Sequence, residues 1–233
     1  QFGDFPAKEY HFINIIHPYK AYHGVEHTAS TIIVLGPSYQ VMKERYVDLL
    51  GVSSHELYHA WNIKTIRPAE MNPYDYTKEN YSKLGYVAEG VTTYMGDLML
   101  YESGVFDRSQ YIVELNQYLK RHYTNTGRLN KSVADSSYDT WLDGYDIGAP
   151  DRKSSIYVEG ALVSFMIDTK IREATENKHS LHSVMKELYQ QYGKKGKGYT
   201  EQDYKRLIEN YTGNSMTAFF QNYIWGIKEF TNE

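Results

Sequence analysis

The strongest constraint on the fold is that two hydrophobic periods occupy separate parts of the chain. Strand-like runs of β-branched and aromatic residues fall only near the start, at Tyr10 to Ile16 (YHFINII) and Thr31 to Leu35 (TIIVL). Gly36-Pro37-Ser38 then breaks the pattern. From about Val41 the apolar residues recur at helical spacing, which predicts helices over 41–62, 84–102, 109–123, 155–173, 181–192, 200–211 and 216–227. Loops are expected at Arg67-Pro68, Asn72-Pro73, Gly127 and the Asp/Gly-rich stretch 143–150. The glycine- and lysine-rich run 193–198 lacks the spacing of a phosphate-binding loop and reads as a solvated connection. The expected class is α+β: a short N-terminal β-sheet followed by a mostly α-helical body. The 233 residues form one unit, with a β-rich lobe at 1–40 and a helical lobe at 41–233.

Composition narrows the function. A net charge of -4 gives no electrostatic footprint for nucleic acid or an anionic membrane. No apolar run approaches the roughly 20 residues of a spanning helix, so a soluble chain is expected. With no cysteine, any metal must be held by His, Asp or Glu. The 24 tyrosines are not interleaved with a basic run and read as amphipathic packing groups at half-wet core edges. Gln1 opens the chain without a signal-like segment, so an excised or processed piece is expected, with its targeting information lost. Composition does not choose a compartment; an exported protein is the expectation.

SSHELYHAWN, residues 53 to 62, carries the chemistry. Residues four apart share a helix face, so His55 and His59 can point their imidazoles at one ion. Glu56 then stands beside that ion without binding it, placed to take a proton from water. A five-residue pattern can arise by accident, and two solvated histidines would be the plain alternative. At about 100° per residue, Val47, Leu50, Ser54, Leu57 and Trp61 form the stripe expected to face the core, with the histidines opposite. A catalytic zinc needs a third protein ligand and an open position. Glu89 is the candidate, lying opposite the stripe of Leu84, Val87, Ala88, Val91, Met95, Leu98 and Met99. Its neighbours Gly85, Thr92, Thr93 and Gly96 are small enough to admit another backbone.

These residues extend into a longer likeness. HELYHAWN, then Ile63-Lys64-Thr65-Ile66-Arg67-Pro68, then YDYTKENYSKLGYVAEG, resembles the glycyl aminopeptidase family of gluzincin zinc metallopeptidases, relatives of the aminopeptidase N family. The likeness runs over residues 10 to 172. It implies a zincin (thermolysin-like) catalytic domain with one zinc on His55, His59 and Glu89 and Glu56 as general base. AYHGVEHTAST, residues 21 to 31, is similar to the family's Gly-Gly-x-Glu-His segment, which implies that Gly24 and Glu26 line the substrate and that Glu26 receives its α-amine. His23 stands where the family usually has glycine, a departure that would narrow the first subsite. SSIYVEGALVSFMIDTKIRE, residues 154 to 173, is similar to the family's Tyr-x-x-Gly element, which implies that Tyr157 donates to the oxyanion. Ser154 or Ser155 is expected to cap that helix.

Asn62, on the histidine side of its helix, is expected to orient a ligand or contact substrate, and Trp61 to pack. Asp97 and Thr93 are candidates to support a ligand. The resulting expectation is an aminopeptidase acting on peptides with a free N-terminus and favouring glycine and alanine. Flanking β-rich and PDZ domains are the family's common companions. Two rivals stand beside it: an endopeptidase with the same chemistry, and a non-catalytic binding module.

Overall fold

The computed structural model describes residues 1–143 and 149–230. Most of the loop expected at 143–150 therefore lies outside the described residues. Three strands form a small sheet: β1 (His11–Ile16), β2 (Ala21–Glu26) and β3 (Ser30–Gly36), in the order β1-β3-β2. β1 pairs parallel to β3 and β2 pairs antiparallel to it, so β2 is an edge strand. Along β3, Thr31, Ile33 and Leu35 are buried in alternation, as the period-2 pattern requires. Ile33 and Leu35 pack against Val41, Leu49 and Val52, which seats the sheet on the first long helix.

That helix, α1, spans Tyr46–Tyr58. It is shorter than the run expected at 41–62. Turns at 42–45 separate it from a short helix at Ser38–Val41, and His59 forms its C-cap. A π-helical turn, Tyr86–Val91, continues directly into α2 (Thr92–Glu102). The remaining long helices are α3 (Arg108–Thr124), α4 (Val158–Ala174), α5 (Leu181–Gln191), α6 (Glu201–Thr212) and α7 (Thr217–Tyr223). Local chemistry sets several boundaries. Asp107 and Gln110 form a capping box on α3, Thr200 and Asp203 form one on α6, and Gly213 ends α6 in the left-handed region. The main core lies among α2, α4, α5 and α6, with Met95, Ile167, Leu188 and Leu207 fully enclosed. The class is α+β and mostly helical.

Two expectations are corrected. The stripe Val47, Leu50, Ser54, Leu57 and Trp61 is only half-buried, whereas Val52, Glu56 and His59 on the other side are buried. α1 is covered on both sides, by the sheet and by α2, so its apolar stripe did not mark the more enclosed face. The run 193–198 is more than a solvated connection: Gly198 and Tyr199 pair with Arg67 and Pro68, and Gly193 is buried against Thr65.

The close approach expected beside Glu89 is present. Ser54 Oγ donates to the Gly96 carbonyl at 2.7 Å, drawing α1 onto α2. On the other flank, a Cβ on Gly160 would lie 2.7 Å from Gly90 Cα and 2.8 Å from the Tyr86 carbonyl oxygen. Only glycine lets α4 sit this tightly on the π turn.

Candidate metal centre and cleft

His55 and His59 project from the last turn of α1, and Glu89 projects from the π turn. Their donor atoms converge: each Nε2 is 3.3 Å from Glu89 Oε2, and the two Nε2 atoms are 3.0 Å apart. A π turn inserts one residue into a helix and re-aims the side chains around it, a device frequent at functional sites. His59 Nδ1 lies 2.8 Å from the Asn62 carbonyl oxygen. A carbonyl only accepts, so Nδ1 carries a hydrogen, and Nε2 is the ring nitrogen turned toward Glu89.

The electrostatics of the cluster call for positive charge. Burial opposes a charged imidazole at His59, yet Glu89, Glu26 and Glu56 outweigh it and lift the group to about 9. Burial likewise opposes charge on Glu89, but the two histidines hold its carboxyl far below the usual range. Burial holds His55 below the usual imidazole range, against the upward pull of Glu89. Glu89 Oε2 and Glu56 Oε2 are buried with no hydrogen-bond partner among the described residues. Two imidazole nitrogens and a carboxylate oxygen within 4.8 Å of one another suit a divalent transition metal, so the residues fit the ion the motif implies.

Glu56 is 5% exposed, and burial raises its carboxyl to about 7. Tyr10 donates to the Glu56 carbonyl at 3.0 Å. Gly24 on β2 faces the Glu56 side chain: a Cβ there would stand 2.7 Å from its Cδ and 2.9 Å from its Cγ. The edge strand and the histidine helix thus close on each other through a glycine. Glu26, two residues along β2, brings its carboxylate within 4.8 Å of the donor atoms of Glu56 and His59. Its Oε1 is 3.0 Å from Lys64 Nζ.

Tyr157 sits at the N-cap of α4, its ring 6.2 Å from that of His55. Ser155 Oγ accepts from the Val158 amide at 3.3 Å, whereas Ser154 donates to the Lys131 carbonyl. Of the two expected caps, Ser155 therefore turns toward the helix start. His23, Gly24, Glu26, Glu56 and Tyr157 line one cleft of about 730 Å³ together with both histidines and Glu89.

Other expected roles shift. Asn62 is fully buried, and its amide donates to the carbonyls of Val87 (2.8 Å) and Ala88 (3.2 Å) and to Thr92 Oγ1 (3.1 Å). Its expected contact with substrate is corrected: it binds the two ligand-bearing segments to each other. Asp97 accepts from the Tyr118 hydroxyl and Thr93 Oγ1 has no partner among the described residues, so neither supports a ligand directly. Trp61 packs as expected, stacked on Phe2 at 4.8 Å. Lys64 was not anticipated, because nothing in a linear motif says that a lysine after the helix folds back onto an edge strand.

The fold has a solved relative. The chain matches the crystal structure of an aminopeptidase N family protein from Idiomarina loihiensis with a TM-score of 0.90 and 29% sequence identity, over 99% of this chain and 40% of that chain. No curated protein matches it. Among the described residues, no helix is long and apolar enough to cross a membrane. Residues 48–163, which hold both histidines, Glu56, Glu89 and Tyr157, match the family described as M61 glycyl aminopeptidase.

Proposed function

We propose that the chain is the catalytic unit, of zincin type, of a zinc-dependent aminopeptidase that removes small N-terminal residues from peptides. The observation that carries this reading is the meeting of His55, His59 and Glu89 at one point, with the Glu56 carboxylate buried beside it. The donor set of two histidines and one glutamate is one used by catalytic zinc. Zinc bound there supplies Lewis acidity toward the scissile carbonyl and toward water.

The chain's own residues then divide the remaining tasks. Glu56 takes the proton of the attacking water and later hands it to the departing amine. A carboxyl raised by burial suits both halves of that transfer. Tyr157 donates to the oxyanion as negative charge develops on it. Glu26 receives the α-ammonium, which limits cleavage to the first peptide bond. His23, exposed on the cleft wall, narrows the first subsite and favours glycine or alanine.

The chain spans 40% of its solved relative's length. Flanking β-rich and PDZ domains and an exported location belong to this reading as proposals. One observation favours an endopeptidase instead: Glu26 is already paired with Lys64. Hydrolysis of glycyl and alanyl amides, compared with their N-acetylated copies, separates the two. An aminopeptidase loses the capped substrates, and an endopeptidase keeps them. Metal analysis of the purified chain should give one zinc, and Glu56→Gln should lower kcat by about 10²–10⁴-fold with zinc retained. Turnover unchanged by that substitution would remove Glu56 from the mechanism.

A further inference from the structure

Lys64 stands against the proposed amine anchor. Its ammonium is 3.0 Å from Glu26 Oε1, and the two side chains are only 18% and 28% exposed. A pair this withdrawn from water is less screened than one on an open surface.

The turn that delivers Lys64 is strained and tightly held. Ile63 has φ of 111°, a region that a β-branched residue rarely enters. Its amide donates to the Ile66 carbonyl at 3.2 Å, and its own carbonyl accepts from Arg67 Nε at 3.1 Å. The Lys64 amide donates to the His59 carbonyl at 3.1 Å, and the Ile66 amide donates to that of Trp61 at 2.7 Å. Strain retained in this way collects at functional sites. Here its consequence is a lysine folded back from the end of the histidine helix onto β2.

Glu26 has reason to need that cation. Its carboxylate lies within 4.8 Å of the donor atoms of Glu56 and His59, and two carboxylates this close repel. The ion pair with Lys64 is made at Oε1, at 3.0 Å.

We propose that Lys64 is a positioning residue for the substrate amine. It fixes Glu26 on the cleft wall, offsets the repulsion from Glu56, and leaves the second Glu26 oxygen for the α-ammonium. This rests on the reading of Glu26 as the amine anchor.

The test uses Lys64→Met, Lys64→Arg and Glu26→Gln, with zinc content and thermal unfolding measured for each. KM and kcat are read on an alanyl amide, and the Kd of L-alaninol, an amine with no bond to cleave, is read by calorimetry. Lys64→Met should raise both KM and the L-alaninol Kd tenfold or more while changing kcat less than threefold. Lys64→Arg should restore most of the loss. If Lys64→Met does not fold, Lys64→Gln takes its place with the same expected split. An unchanged KM and Kd in the lysine variants, beside a large rise in Glu26→Gln, overturns the role of Lys64 alone. If Glu26→Gln leaves KM and Kd unchanged, the anchor reading falls and this proposal falls with it.

Discussion

The side-chain amide of Asn62 donates to the main-chain carbonyl of Val87 at 2.8 Å, tying the end of the histidine helix to the π turn that carries Glu89. The same residue's carbonyl accepts from His59 Nδ1. One buried side chain therefore holds two segments in register, and its backbone fixes the tautomer of a ligand. Replacing it with aspartate keeps the shape but sets a carboxylate against two carbonyl oxygens. Asn62→Asp should weaken metal binding by about 10–100-fold, because the π turn that carries Glu89 loses its side-chain tie to the histidine helix while the main-chain bond to His59 remains. It should also destabilise the fold by about 1–3 kcal/mol, because the Val87 and Ala88 carbonyls lose their donor. Competition against a chelator of known affinity, with urea unfolding of the metal-free chain, measures both. Wild-type metal affinity would mean that packing alone holds the ligands.

Gly24 faces Glu56 closely enough that a methyl group must move the carboxylate. The Glu56 backbone is held by α1 and Tyr10, so the side chain has to turn away. Gly24→Ala should therefore lower kcat tenfold or more, because small displacements of a reacting group are costly. Zinc content and unfolding midpoint should stay near wild type, since Gly24 carries none of the three converging donor atoms. Normal kcat in this variant would place the working position of Glu56 away from β2.

Much of this site was legible because its signals are local. A four-residue spacing in a helix puts His55 and His59 on one side whatever surrounds them, and the small neighbours of Glu89 did announce a close approach by α1. What stayed hidden depends on contacts across the chain. The apolar stripe of α1 pointed to the wrong face because a helix covered on both sides has no single core side. β2 carries no β-branched run of its own, and β3 supplies its pairing groups. Asn62 resembled a cleft residue because its position on the helix was known but the π turn above it was not.

Tyr157 offers a cleaner separation of binding from chemistry. Its hydroxyl is proposed to meet charge that exists only after attack, so substrate affinity should not depend on it. Tyr157→Phe should lower kcat by about 10²–10³-fold with KM changed little. Steady-state kinetics on an alanyl amide is the measurement. A rise in KM at constant kcat would instead make Tyr157 a substrate contact.

Asp97 lines the same cleft and is 7% exposed. Burial raises its carboxyl from 3.8 to about 6; the Tyr118 hydroxyl pulls it back, and Glu114 pushes it further up. The folded chain thus holds this proton more tightly than the unfolded chain, which releases it near pH 4. Stability from this group is present in full below about pH 4, falls as pH rises toward 6, and is level above that. Two pKa units correspond to about 3 kcal/mol, an upper bound for a single group. Asp97→Asn lacks the titrating proton, so the stability difference between wild type and variant should move in the variant's favour by up to that amount between pH 4 and 6.5. Urea unfolding of both proteins across this range measures it. A difference independent of pH would mean that Asp97 stays ionised in the fold and that water in the cleft solvates it.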